Sequence, residues 1–592
     1  MSPFNLVKSK IIVTFWMGIL IFGFLIPGCI SLTTNSPLKA NSIATQEAVV
    51  TTANPRSNSN SPLGVGLNGI ADWSTELPFL DAFKLSRKWI TQCVKADPDC
   101  QGEFDTHESA LINLDEKGWV KSLPRPSDPP KYTRVSTFIL VGMPNRFPSG
   151  KYLVLYEGEG TLEYGLDAKK DNQSSTLGRD VIEVDASKGN GVMLTITSTD
   201  PQNTGNYLRN IRVIKPEFEN TFVKEVFNPV FLDKIKRFRA LRFMDWMSTN
   251  YSEQKEWADR PKPEIASYAL KGAPLEIMVA LANKVKADPW FNIPHQATDD
   301  YITKFAQLVK EQLNPGLKVY IEFSNEVWNG AFSQSQYAGE QGKARWGQDK
   351  ADAYVQWYGM RTAQMCDIWK RVFGNEQNRV VCVISTQTAW KGLENQVLDC
   401  PYWVAEGNKP CYQHGIDVYA VTGYFSGGLG SPENYRTVES WLQEPDGGFS
   451  KAIQQLREGG LLANTHDSLP DTYNGLKYHL EVAKRKQLNL VTYEGGQHIV
   501  GVGEVANHEK LTQFFIELNR RPEMHDLYLQ LLNDWKRAGG TLFMHFVDIG
   551  VASKWGSWGA LEYAAQNGSP KYNALIEFID KNPCWWERCA RK

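Results

Sequence analysis

Residues Lys318–Gly330 read KVYIEFSNEVWNG. Val319, Ile321 and Phe323 alternate with Tyr320 and Glu322, the two-residue period of a strand with one face turned to a core. The run then ends on Asn325, Glu326 and Trp328: an amide, a carboxyl group and an indole, almost side by side. Such an end can cap a following helix, or it can mark a site. The segments around it decide between the two.

Seven other segments resemble it. In chain order the set is GVGLN (64–68), LRFMDW (241–246), LEIMVALAN (275–283), KVYIEFSNE (318–326), VVCVIST (380–386), DVYAVTGY (417–424), NLVTYEGG (489–496) and TLFMHFVD (541–548). Helical patterns lie between them. VFLDKIKRF (230–238) is one. Asp299–Leu313 sets Tyr301, Phe305, Leu308 and Val309 on one face behind a Thr298 cap. Tyr354–Gly374 is a long amphipathic helix closed by its glycine. Eight strands alternating with helices predict an α/β fold of the (β/α)8 TIM barrel type. An open doubly wound sheet is the alternative, disfavoured by the count of eight and by the lack of a glycine-rich phosphate turn. GVGLNG (Gly64–Gly69) fits G-x-G-x-x-G, but no strand precedes it and no helix opens on its last glycine. It reads instead as the first strand and a loop carrying Asn68, Asp72 and Trp73.

From Lys131 to Glu217 the texture changes. KYLVLYEGEGTLEYGLD, DVIEVD, GVMLTITSTD and YLRNIRVIKP are short alternating runs separated by Gly, Asn and Asp turns. They predict an all-β, sandwich-like insert. Residues 30–62 form a Ser/Thr/Asn/Pro tether without hydrophobic period. The expected organisation is a signal peptide over 1–29, the tether over 30–62, the barrel's first strand and helix over 63–130, the insert over 131–217, and the rest of the barrel over 218–592.

The signal reading rests on Lys8 and Lys10 followed by the apolar run Ile11–Ile26. That run is shorter than the roughly 20 residues of a spanning helix. IPGCISL (26–32) resembles a bacterial lipoprotein signal, which implies lipidation of Cys29 as the mature N-terminus. Pro27 departs from that pattern, which usually has a small residue two positions before the cysteine. Cleavage after Ala40 and an uncleaved anchor are the other outcomes. The expected location is extracytoplasmic, at the bacterial cell surface or in the periplasm, with membrane contact only through this N-terminus. The chain has nine cysteines, eight without Cys29. Close pairs suggest disulfides Cys93–Cys100, Cys400–Cys411 and Cys584–Cys589, as in exported proteins. Cys366 and Cys382 are either paired or simply buried. With no C-x-x-C pair and no H-E-x-x-H, no metal is expected. No cofactor is expected either.

Basic and acidic residues number 64 and 66, a formal net charge of −2. Nothing in that balance calls for nucleic acid or an anionic membrane surface. The 19 Trp, 23 Tyr and 27 Phe can pack cores or offer flat rings to sugars.

In a TIM barrel the chemistry sits at the C-terminal strand ends. There the sequence offers Arg242, Asp245 and Trp246 after the second strand, and Asn283, Trp290 and His295 after the third. The fourth strand brings Asn325, Glu326 and Trp328, the sixth Tyr424, and the seventh Tyr493 and Glu494. His545, Asp548, Trp555 and Trp558 follow the eighth. Strands four and seven face each other across such a barrel. Their glutamates can therefore form a carboxyl pair, which a retaining glycosidase needs about 5 Å apart. Asn325-Glu326 on strand four and Glu494 on strand seven resemble the pattern of the clan A glycoside hydrolases. The resemblance covers roughly residues 63–108 and 218–580. It implies a retaining O-glycosyl hydrolase of β-glucan, cellulose or mannan type substrates, with Glu326 as acid/base and Glu494 as nucleophile. Arg242, Trp246, His295, Trp328, Tyr424, Trp555 and Trp558 are expected to support the site or bind sugar, and Asn325 to bind the sugar 2-hydroxyl. A non-catalytic surface carbohydrate-binding protein on the same scaffold is the alternative, and a structural envelope protein a third.

Overall fold

The computed structural model describes residues 58–97, 99–125 and 130–586. The expected signal peptide, Cys29, nearly all of the tether and Cys589 lie outside the described residues.

Eight parallel strands make one sheet: Leu63–Gly66, Ala240–Arg242, Asp288–Ile293, Val319–Phe323, Val380–Ser385, Val418–Phe425, Asn489–Gln497 and Phe543–His545. They stand in chain order, and the first pairs with both the second and the eighth. Backbone bonds join the seventh to the eighth: Thr541 N to Leu490 O at 2.9 Å, Thr492 N to Leu542 O at 3.1 Å and Phe546 N to Gly495 O at 3.0 Å. The sheet thus closes, and the fold is the expected (β/α)8 barrel. Strand parity divides its core. Val319, Ile321 and Phe323 point outward beneath the helices. Tyr320 points inward, with Trp290, Val383, Val418, Val491 and Met544. Bulky inward side chains fill the barrel, so function is confined to its rim.

One strand lies elsewhere than the sequence suggested. LEIMVALAN is not the third strand but part of a helix, Leu275–Val285. Its apolar positions Leu275, Met278, Val279, Ala282 and Val285 recur at helical spacing on one buried face. Pro274 precedes it, and Lys286 ends it in the left-handed conformation. The true third strand, DPWFNI (288–293), contains a proline, which normally argues against a strand. Pro289 is tolerated because pairing with the fourth strand begins only at Trp290, so no ladder bond needs its missing N–H.

Two four-stranded antiparallel sheets stand beside the barrel. One orders Ile90–Gln92, Arg134–Ile139, Val192–Thr199 and Gly160–Leu166; the other orders Arg209–Ile214, Gly150–Glu157, Arg179–Val184 and Ala168–Lys170. They share a core that includes Trp119, Val135, Ile182 and Ile196. Ile90 pairs with Ser136, so the sheets draw on chain from well before residue 131. Among the described residues of 63–130 there is no α-helix, only short 3-10 turns.

Cys93–Cys100 and Cys400–Cys411 form disulfides. Cys366 and Cys382 are buried free thiols. Among the described residues no helix is long and apolar enough to cross a membrane.

Candidate active site

The site is built outward from Arg242, the last residue of the second strand. It is buried, and every arm of its guanidinium is engaged. Nε and Nη2 donate to Glu322 Oε2 at 3.2 and 2.9 Å, Nη2 also to Asn325 Oδ1 at 2.8 Å, and Nη1 to Glu494 Oε1 at 2.7 Å. The Trp290 and Tyr493 rings flank it at 5.8 and 5.2 Å. Burial works against its charge, but Glu322 and Glu494 more than offset this and hold it firmly protonated.

Glu322 is the polar residue on the inward face of strand four. It also accepts from Trp290 Nε1 at 3.0 Å, Asn292 Nδ2 at 2.7 Å and Ser385 Oγ at 3.1 Å. Beyond Phe323 the chain leaves strand geometry. Ser324 and Glu326 adopt φ of 60° and 43°, left-handed values that cost most side chains and recur at functional sites. This brings both Asn325 and Glu326 over the barrel end rather than on alternate faces. Asn325 accepts from Arg242, donates to Asn250 Oδ1 at 3.1 Å, and its carbonyl is held by Gln334 at 2.9 Å.

Strand seven uses a different device. Its register against strand six slips by one residue between Thr492 and Glu494, so Tyr493 is bulged. The bulge lets both Tyr493 and Glu494 reach into the barrel. Tyr493 donates its hydroxyl to Glu326 Oε1 at 3.0 Å, and Tyr424 donates to Glu494 Oε2 at 2.9 Å. Glu326 Oε2 accepts from Asn329 Nδ2 at 3.2 Å.

The two carboxyl groups therefore differ in their partners. Burial, and then the charge of Glu494, push Glu326 up to about 8; its hydrogen-bond donors are neutral. Burial lifts Glu494 as well, but the Arg242 cation and the Tyr424 hydroxyl favour its charged form. A proton shared between them resides on Glu326. Asp245, which follows strand two, is pushed up to about 7 by burial and by Glu494. It makes no side-chain hydrogen bond or ion pair among the described residues.

The remaining expected residues divide. Trp558 is half-buried against Tyr424 (6.0 Å), His498 (4.9 Å) and Phe546 (5.8 Å). Its Nε1 donates to Trp555 O at 2.8 Å, and the Trp555 ring is exposed. Trp328 packs partly buried against the outer core, its Nε1 unbonded among the described residues. His295 is buried edge-on to Tyr337 at 5.3 Å, and burial pushes it down to about 4, so it is neutral. No bond joins His295 to the carboxyl pair among the described residues. Trp246 is not at the mouth. It is fully buried against Phe79, Phe231 and Phe243 and donates to Glu76 Oε2 at 3.1 Å. The backbone turns back at Met247 N to Phe243 O, carrying Trp246 into the core. Asn283 lies on the helix, and Trp290 within the third strand.

The sequence did not point to Glu322 or Asn292 as site residues, and it placed Tyr493 at the mouth without giving its hydroxyl a role. Parity on strand four could have found Glu322, which shares the inward face with Tyr320. A bulge leaves no comparable mark.

No protein-family model matches the chain, and no curated protein matches it. Solved structures do. One is a GH5-4 broad specificity endoglucanase from Clostridium acetobutylicum, at 12% identity and TM-score 0.32, covering 59% of this chain and 89% of that one. Another is a 4-O-alpha-L-rhamnosyl-beta-D-glucuronidase from Fusarium oxysporum 12S, at 14% identity and TM-score 0.32, covering 57% and 61%. A third is a GH5 xyloglucan-specific endo-beta-1,4-glucanase from a metagenomic library, in complex with cellotriose, at 13% identity and TM-score 0.30, covering 59% and 88%.

Proposed function

We propose that the chain is an exported retaining glycoside hydrolase acting on a polysaccharide or oligosaccharide by double displacement. The observation that carries this reading is the unlike pair of glutamates. Glu326 rests among neutral donors and keeps its proton near neutral pH; Glu494 rests on a buried arginine and gives its proton up.

Glu326 donates its proton to the leaving oxygen while Glu494 attacks the anomeric carbon, forming a glycosyl-enzyme. Ionised Glu326 then takes a proton from water, which attacks that carbon and releases the sugar with its configuration retained. Arg242 and Tyr424 hold Glu494 in place and charged. Asn325, itself fixed by Arg242 and Asn250, has an amide available to the sugar 2-hydroxyl. Trp555 and Trp558 offer rings to sugar faces. The two disulfides support an oxidising compartment.

The purified protein should be screened against β-glucans, cellulose and mannans, with the product anomer followed by NMR. Retention in the wild type and loss of turnover in folded Glu494→Gln are expected. Inverted product, or an undiminished variant, refutes the assignment. Mass spectrometry of the mature N-terminus tests export: a chain still starting at Met1 in the cytosol ends that part of the reading.

A further inference from the structure

Among the described residues only three tryptophans are exposed: Trp73 at 53%, Trp390 at 49% and Trp555 at 47%. All three stand on loops that leave the C-terminal ends of barrel strands, the face that carries Glu326 and Glu494. The β-sheets beside the barrel contribute none; the exposed apolar side chains there include Leu166 and Leu177. Leaving an indole half in water forgoes much of its burial energy, and three on one rim form a pattern rather than scatter.

Their placement around the ring is informative. Trp73 follows strand one and Trp555 strand eight, and these strands are paired neighbours. Trp390 follows strand five, four places from strand one in the closed sheet and therefore opposite it. Glu326 rises from strand four, next to Trp390's strand; Glu494 rises from strand seven, next to Trp555's. A line from Trp73 and Trp555 to Trp390 thus passes over the carboxyl pair. Strand spacing and tilt make the ring about 15 Å across, longer than a disaccharide. Most nearby cations are already engaged: Arg242 by three side chains, Arg87 by Asp72, and Lys554 by Asn507 while it lies over the Trp555 ring; Lys391, beside Trp390, lies over the Tyr478 ring at 5.3 Å.

We propose that the mouth binds an extended, uncharged polysaccharide on both sides of the scissile bond, with Trp390 stacking on the leaving-group side and Trp73 with Trp555 on the other. This rests on the glycosidase reading and adds that cleavage falls within a chain rather than at its end.

The test separates the two claims. Inactive Glu494→Gln is run by native affinity electrophoresis in gels containing barley β-glucan, konjac glucomannan or, as an acidic chain, polygalacturonate. Retardation by an uncharged polysaccharide is expected. Adding Trp73→Ala or Trp390→Ala should each weaken it about tenfold. No retardation, retardation by polygalacturonate alone, or loss with only one of the two tryptophans overturns the inference, whether or not the wild type is active. In the active background, each change should lower kcat/KM on the polysaccharide about tenfold while an aryl monoglycoside changes less than about twofold. Early products should be mixed in length. Release of a single terminal sugar from the outset contradicts it, while an inert wild type refutes only the glycosidase reading.

Discussion

Replacing Tyr493 by Phe removes one oxygen from the site and little else. The ring remains in the barrel interior beside Arg242. What disappears is the 3.0 Å hydrogen bond to Glu326 Oε1. That bond favours the charged carboxylate, so its loss must raise the Glu326 pKa. A hydrogen bond to a charged group contributes about 1.5–3 kcal/mol, and one pKa unit is about 1.4 kcal/mol, so the rise is about 1–2 units. In the proposed mechanism Glu326 acts as an acid in the first step. The alkaline limb of kcat/KM, near pH 8 in the wild type, should therefore move up by that amount. Rates below neutral pH should change little. The assay is a kcat/KM profile on a substrate with a poor leaving group, which needs the proton. An unmoved limb, or one displaced to lower pH, would refute the reasoning: either another group titrates there, or the hydroxyl does not hold the Glu326 anion.

Further outcomes follow from the same geometry. Glu326→Ala should lose on the order of a thousandfold on poor leaving groups, far less in the first step with an activated aryl glycoside, and should be partly rescued by azide; equal losses on every substrate contradict the acid/base role. Glu326→Gln should be the more stable protein at alkaline pH. A carboxyl raised to about 8 from 4.5 contributes stability that is full below pH 4.5 and lost as pH climbs through 8. The variant should therefore gain on the order of 2–4 kcal/mol over wild type above pH 8 in denaturant titrations, and little below pH 5. Trp246→Phe should cost about 1–3 kcal/mol in the same titrations through lost packing and the bond to Glu76, with KM unchanged; a raised KM would return Trp246 to the binding site.

Much of this molecule was legible before its structure. Seven of eight strands carry the two-residue period or an apolar run between turns. Glu326, just past strand four, and Glu494, late in strand seven, could be placed toward the C-terminal face from chain order. The failures have two causes: short apolar segments and irregular backbone. Leu275–Asn283 satisfies strand and helix patterns alike, and Pro289 disguised the strand beside it. Trp246 follows a strand only three residues long, and a tight turn past its end put the indole in the core. The left-handed Ser324 and Glu326 and the bulge at Tyr493 decide which side chains meet. Backbone departures of this kind leave no periodic trace in the residues that make them.

The central claim is that Glu494 bonds covalently to the sugar during turnover. Incubation with 2-deoxy-2-fluoro glycosides bearing a fast leaving group, in gluco and manno configurations, tests it most directly. The electronegative fluorine slows both steps and lets the glycosyl-enzyme accumulate. Intact mass should rise by one fluorosugar, and peptide mapping should find it on Glu494, with the label absent in Glu494→Gln. A label on any other residue, or active turnover that gives inverted product and no adduct, would contradict the account.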